Sequence, residues 1–154
     1  MLIYILLMQL SAEETGRLRL VLQRISFLEK LKMSELDQLI SALNKRSYKR
    51  GETLIKQGSR GDVFFIMASG RVGVYREKFF SRKQIATLGP EAFFGEMSLI
   101  DNLPRNATVV AEEDSDVYYV SHEDFQSILL KNPGIAAVIK QTADFRRIQN
   151  RSSN

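Results

Sequence analysis

The stretch Phe94-Gly95-Glu96-Met97-Ser98-Leu99-Ile100-Asp101-Asn102-Leu103-Pro104-Arg105-Asn106-Ala107-Thr108-Val109 carries the densest chemistry of the chain. Gly95 lets the backbone approach a neighbour where a Cβ would obstruct. Glu96 to Ile100 can form one helical turn. The amides opening such a turn are unsatisfied donors that suit an anion. Arg105 follows ten residues after Gly95, just past a loop containing Pro104, so its guanidinium can fold back over the same spot. Helix-start amides plus an arginine fork make a phosphate trap. Glu96 would repel a phosphate that it faced. As a carboxylate it only accepts hydrogen bonds, and a ribose hydroxyl is a sensible target.

Outward from this stretch the texture is that of short strands. From Arg46 to about Val120 the segments are rich in β-branched and aromatic residues and punctuated by glycine. Strands are expected at 52–56, 63–68, 71–76, 84–88, 106–112 and 116–120. Turn signals at Gly51, Gly58 to Asp62, Ser69-Gly70, Gly89-Pro90 and Asp114 to Asp116 separate them. Regular spacing of short strands argues for a sandwich or barrel-like roll. The run Val63-Phe64-Phe65-Ile66-Met67 fits a strand buried on both faces.

Helical texture lies at both ends. Leu18, Val21, Leu22 and Ile25 recur at helical spacing within 12–27, with Arg17, Arg19 and Arg24 facing out. Ser34 reads as the N-cap of a second helix carrying Leu36, Leu39, Ile40 and Leu43. After the strands, Ser121 with Asp124 at the third helical position reads as another N-cap, followed by Phe125, Ile128 and Leu129. Pro133 fits the first turn of a final helix to about Gln149, with Ile135, Val138, Ile139 and Phe145 on its apolar side.

Composition bounds the function. The chain has 154 residues, about one domain, with 44% hydrophobic and 26% charged residues, as in a globular protein. With no cysteine, disulfides and thiolate metal sites are excluded. A single histidine, His122, makes a histidine-rich metalloenzyme site or a Ser-His-Asp set implausible. The reading is therefore not an enzyme: no catalytic residue, no metal, no cofactor. A net charge of +4 favours anionic partners. Met1 to Leu10, MLIYILLMQL, is too short to span a bilayer and lacks the features of a signal peptide. It reads either as a buried or dimerising segment or as the foot of a longer apolar helix.

The stretch from Phe94 to Val109 resembles the phosphate-binding cassette of the cyclic nucleotide-binding domain family. The family pattern is roughly F-G-E-x-x-L, a variable loop, then P-R-x-A-T/S-V. Gly58 to Asp62 with Phe65, Ile66 and Gly70 resembles a second family stretch, and Ser121-His122-Glu123-Asp124-Phe125 resembles the start of its first C-terminal helix. The resemblance covers about residues 27–148. It implies a mainly β fold with flanking helices (α+β): an eight-stranded β-roll or jelly roll with an N-terminal helical bundle and two C-terminal helices. The implied organisation is 1–26 for the apolar segment and helix, 27–150 for the binding domain and 151–154 for a disordered tail.

The resemblance also assigns roles. Arg105 pairs with the cyclic phosphate and Glu96 accepts from the ribose 2′-hydroxyl. Gly95, Met97 and Ser98 offer backbone amides, while Asn106 and Ala107 line the phosphate side. Phe145 or Arg146 caps the base. Leu99 and Phe125 link the cassette to the hinge of the C-terminal helices. The expected ligand is cAMP ahead of cGMP. Asn106 keeps the second open, because it stands where family members often carry Ala, Ser or Thr. The implied protein is a cytoplasmic sensor without a DNA-binding domain in this chain, acting as a homodimer or with a fused or associated effector. One alternative is the cytoplasmic module of a cyclic nucleotide-gated channel, the only case with a membrane partner. Pro133-Gly134-Ile135-Ala136 and Lys140-Gln141-Thr142-Ala143 carry that similarity. The other is a degenerate roll serving protein contacts without nucleotide.

Overall fold

A computed structural model describes residues 10–25, 28–60, 62–95, 104–131, 133, 136–137 and 140–141. Among them are eight strands: β1 (Asn44–Tyr48), β2 (Thr53–Ile55), β3 (Val63–Ser69), β4 (Val72–Lys78), β5 (Ser81–Leu88), β6 (Phe93–Phe94), β7 (Thr108–Ala111) and β8 (Ser115–Ser121). Helices α1 (Ala12–Gln23) and α2 (Met33–Ser41) precede them and α3 (His122–Lys131) follows. Residues 133, 136, 137, 140 and 141 are also helical.

The strands form two four-stranded antiparallel sheets, ordered β1-β8-β3-β6 and β2-β7-β4-β5. The mainly β roll expected from the sequence is what the chain forms. Strand β3 shows why helices are needed as well. Successive side chains on a strand point to opposite faces. Phe64 and Ile66 join Tyr118 and Val120 of β8 in one apolar cluster with Leu18, Leu22, Leu36, Leu39 and Phe125 of the helices. Phe65 and Met67 join Val72, Phe94, Val109 and Val117 in a second cluster between the sheets. The continuous apolar run of β3 thus faces a core on each side, and the helices cover the outer face of the first sheet. Phe65 stacks on Phe94 across the β3–β6 pair, with centroids 5.1 Å apart.

Capping sets the helix limits. Ser11 accepts from the Glu14 amide at 3.0 Å and starts α1. The expected continuation to Phe27 does not occur. Bonds from the amides of Arg24 and Ile25 to the carbonyls of Val21 and Leu22, both 3.1 Å, tighten the chain into successive turns after Gln23. Leu28 and Leu31 continue the same i to i−3 pattern. Ser34 is not the cap of α2. That helix begins at Met33, and the Glu35 carboxylate closes back on the Lys32 amide at 3.0 Å. For α3 the expected cap holds: Ser121 Oγ accepts from the Asp124 amide at 3.1 Å.

Two strands escaped the sequence pattern. In β1 only Tyr48 of five residues is buried, so no period-two alternation marks it. Its strand character comes from pairing along β8, from Asn44 opposite Tyr119 to Tyr48 opposite Ser115. Strand β6 is only two residues long. Strand β5 begins at Ser81 rather than 84, because pairing with β4 extends to the Lys78–Ser81 closure of the hairpin. The 106–112 strand is shorter, since Asn106 and Ala107 form a bend ahead of Thr108.

Candidate functional site

The loop between β2 and β3 and the approach to β7 build the arginine's seat. The Gly58 amide donates to the Arg105 carbonyl at 2.8 Å, and the Arg105 amide donates to the Ser59 carbonyl at 2.8 Å. Arg60 and Pro104 add an isolated antiparallel bridge. Gly58 takes φ +85°, which a glycine adopts without strain. The glycine-bearing turn seen in the sequence therefore clasps the backbone of the arginine. Gln57 anchors the base of this loop. Its amide donates to Thr108 Oγ1 at 3.0 Å, and its side chain exchanges two hydrogen bonds with the backbone of Glu77.

With its backbone held, the half-buried Arg105 side chain reaches back to the end of β6. Nη2 donates to the Val63 carbonyl at the start of β3. The guanidinium lies against Gly95, whose φ is +76°. The fold thus brings Gly95 and Arg105 together, as the spacing of the cassette suggested. Ala107 is buried next to Thr108 at the start of β7, and Asn106 is exposed. Glu96, Met97, Ser98 and Leu99 lie outside the described residues, as do Phe145 and Arg146. So do the Met1 to Gln9 part of the apolar segment and the tail at 151–154.

Phe125 is 1% exposed and packs in the cluster that joins α1, α2, β3 and β8. The His122 amide, at the start of the same helix, donates to the Asp62 carbonyl at 2.6 Å. The loop that leads into β3, next to the arginine's seat, thereby also holds the first turn of α3. Sequence reasoning missed the Val63 carbonyl, the Ser59 carbonyl and Gln57. The first two act through backbone atoms that any residue carries, and only their place beside the Gly58 to Asp62 turn could have pointed to them.

The best-defined electrostatic cluster lies elsewhere, between α1 and the outer face of the first sheet. Lys45 Nζ is 2.6 Å from the Glu14 carboxylate, and Tyr118 Oη donates to the same carboxylate at 2.5 Å. The hydrogen bonds from Lys45 and Tyr118 hold the Glu14 pKa down at about 2, and burial together with this bond pushes the Tyr118 hydroxyl up. Among the described residues no group of acidic, histidine or cysteine side chains could hold a metal ion, and no helix is long and apolar enough to cross a membrane.

Two antiparallel sheets closed over one apolar interior, with helices on an outer face and an arginine clasped between two loops, make this a β-roll. The family model described as the cyclic nucleotide-binding domain matches residues 45–132, and the chain belongs to that family. It is 34% identical over 103 residues to a cyclic AMP receptor protein of Thermus thermophilus, covering 66% of this chain and 48% of that one. It is 33% identical over 123 residues to a cyclic nucleotide-gated potassium channel of Mesorhizobium japonicum, covering 80% and 33%. Among solved structures it resembles the N-terminal domain of a transcriptional regulator from Streptomyces coelicolor, with a TM-score of 0.74, 28% identity and coverage of 86% and 93%. The chain thus spans less than half the length of these two curated relatives.

Proposed function

We propose that this chain is the sensor domain of a cytoplasmic regulatory protein. It binds a cyclic nucleotide at residues 95–107, reports occupancy through its C-terminal helices and performs no catalysis. One observation carries the reading: the Arg105 guanidinium is seated on Gly95 and the Val63 carbonyl. The hydrogen bond to Val63 fixes the orientation of the guanidinium, and a cyclic phosphate there would meet a charge-assisted donor. The amides of Gly95, Met97 and Ser98 complete the phosphate and ribose contacts, Glu96 takes the ribose 2′-hydroxyl, and Asn106 and Ala107 line the phosphate side. The binding module spans 27–150. The ligand is cAMP in preference to cGMP, a choice supported by the similarity to a receptor named for cyclic AMP.

Sensing needs an element whose two arrangements bind the ligand differently. In this reading ligand draws the cassette inward, Leu99 shifts, and Phe125 releases the last helix to bring Phe145 or Arg146 over the base. The bond between the His122 amide and Asp62 supports a mechanical link from the ligand-side loop to α3.

Calorimetric titration of the chain with cAMP and with cGMP tests the proposal. Micromolar or tighter binding of at least one is expected. Heat from neither would leave the roll as a protein-contact module without nucleotide. A second reading, the cytoplasmic end of a channel, is supported by the alignment of 80% of the chain with the channel relative. A genomic reading frame that continues upstream into a pore helix would select it.

A further inference from the structure

The β4–β5 hairpin ends in two adjacent aromatic residues, Phe79 and Phe80, which are 100% and 102% exposed. They form the whole two-residue turn between Lys78 and Ser81. Such turns normally carry Gly, Asn or Asp, because the favoured types need positive φ. Neither phenylalanine has a positive φ. These residues therefore serve neither the turn nor the core, and local rules broken in this way point to a role outside the fold.

The two faces of the hairpin end differ in charge. On one, Glu77 sits opposite Arg82, joined by a 2.5 Å salt bridge, and Arg82 covers the Tyr75 ring at 4.9 Å. On the other, Arg76 sits directly opposite Lys83, with Lys78 two residues along the same strand. Like charges directly opposite on a sheet destabilise it. All three cations are exposed, and among the described residues none forms a salt bridge. The cost of this pairing falls once an anionic surface lies against it.

We propose that the β4–β5 hairpin docks on an anionic lipid bilayer, with Phe79 and Phe80 inserted at the level of the headgroups and Arg76, Lys78 and Lys83 facing acidic lipid. Bare rings at a convex apex reach into an interface that a folded protein surface would have to hollow out to receive. A nucleic acid would instead call for rings laid along a basic groove. Binding at a bilayer interface strengthens with buried apolar area and with attraction to anionic lipid, and this tip offers both. The proposal is independent of the ligand site, which lies at Gly95 and Arg105.

Co-sedimentation of the full chain with vesicles of phosphatidylcholine, alone or mixed with phosphatidylglycerol, tests it. Binding is expected only with the anionic lipid, and it should weaken as salt is raised. Phe79→Ser with Phe80→Ser should lower partitioning by about tenfold or more, from the lost ring burial. Arg76→Glu with Lys83→Glu should abolish it, since each cation lost near an anionic surface weakens binding about fivefold. Thermal unfolding of both variants near that of the parent would show that the roll is intact. The proposal is overturned if the parent ignores anionic vesicles or if the serine variant sediments like the parent. A dimer on gel filtration that the serine variant converts to monomer, without vesicle binding by the parent, would overturn it too and place a second copy on the tip.

Discussion

The Arg105 guanidinium occupies the space that a side chain at position 95 would need. A Cβ placed on Gly95 would lie 2.7 Å from Nη1 of Arg105 and 2.9 Å from the Val63 carbonyl oxygen. The same residue has a φ of +76°. Conformation and crowding thus both demand glycine here.

Gly95→Ala should therefore act twice. The backbone conformation alone costs about 1 kcal/mol or more for a residue with a Cβ. Displacement of the guanidinium adds to this and disturbs the proposed phosphate contact. Gly51→Ala is the control, because its φ is +91°, nothing lies within 4 Å of an added Cβ, and it sits in the turn between β1 and β2, away from the arginine's seat. Both variants should lose stability in thermal melts. Only Gly95→Ala should also lose cyclic nucleotide affinity by about tenfold or more, equivalent to about 1.4 kcal/mol.

Arg105→Ala should weaken ligand binding by about ten- to a hundredfold, the size of a lost charge-assisted hydrogen bond. Arg105→Lys should recover little of this. A single ammonium cannot hold the Val63 carbonyl and present a planar fork to a phosphate at once. Calorimetric titration of the three proteins decides the matter, and equal affinities would misplace the site.

Glu14 predicts the acid limb of stability. Its carboxylate is held near pKa 2 by Lys45 and Tyr118, against an ordinary 4.5. A depressed native pKa favours the fold above the unfolded value, and that favour fades as pH falls through 4.5 towards 2. Denaturant midpoints measured across this window should fall more steeply for the parent than for Glu14→Gln. Tyr118→Phe should cost about 1 kcal/mol at neutral pH by removing one hydrogen bond to the carboxylate.

Leu22→Ala asks whether α1 shares one fold with the roll. Leu22 is fully buried in the cluster that includes Phe64, Val120 and Phe125. Its truncation should lower the stability of the whole roll by about 2–5 kcal/mol in a single cooperative transition. Two separate transitions would instead support a structural boundary near residue 26.

The sequence by itself determined the strand-rich middle, the two-faced burial of Val63 to Met67, the cap at Ser121 and the glycine-to-arginine spacing of the cassette. These are local signals: alternation, side-chain volume, turn residues and short spacings, all of which burial and backbone sterics write directly into the order of residues. Tertiary structure alone decided that β1 exists, because its exposed side chains carry no alternation and its order comes from pairing with β8. It also decided what holds Arg105. The Val63 carbonyl lies 42 residues away and the Ser59 carbonyl 46, and both are backbone acceptors present at every position. The hairpin tip divides in the same way: Phe79 and Phe80 are plain in the sequence, but only the register set Arg76 against Lys83 and left both rings bare. A linear pattern records which side chains avoid water. Which distant backbone atom meets which side chain is fixed only when the sheets close.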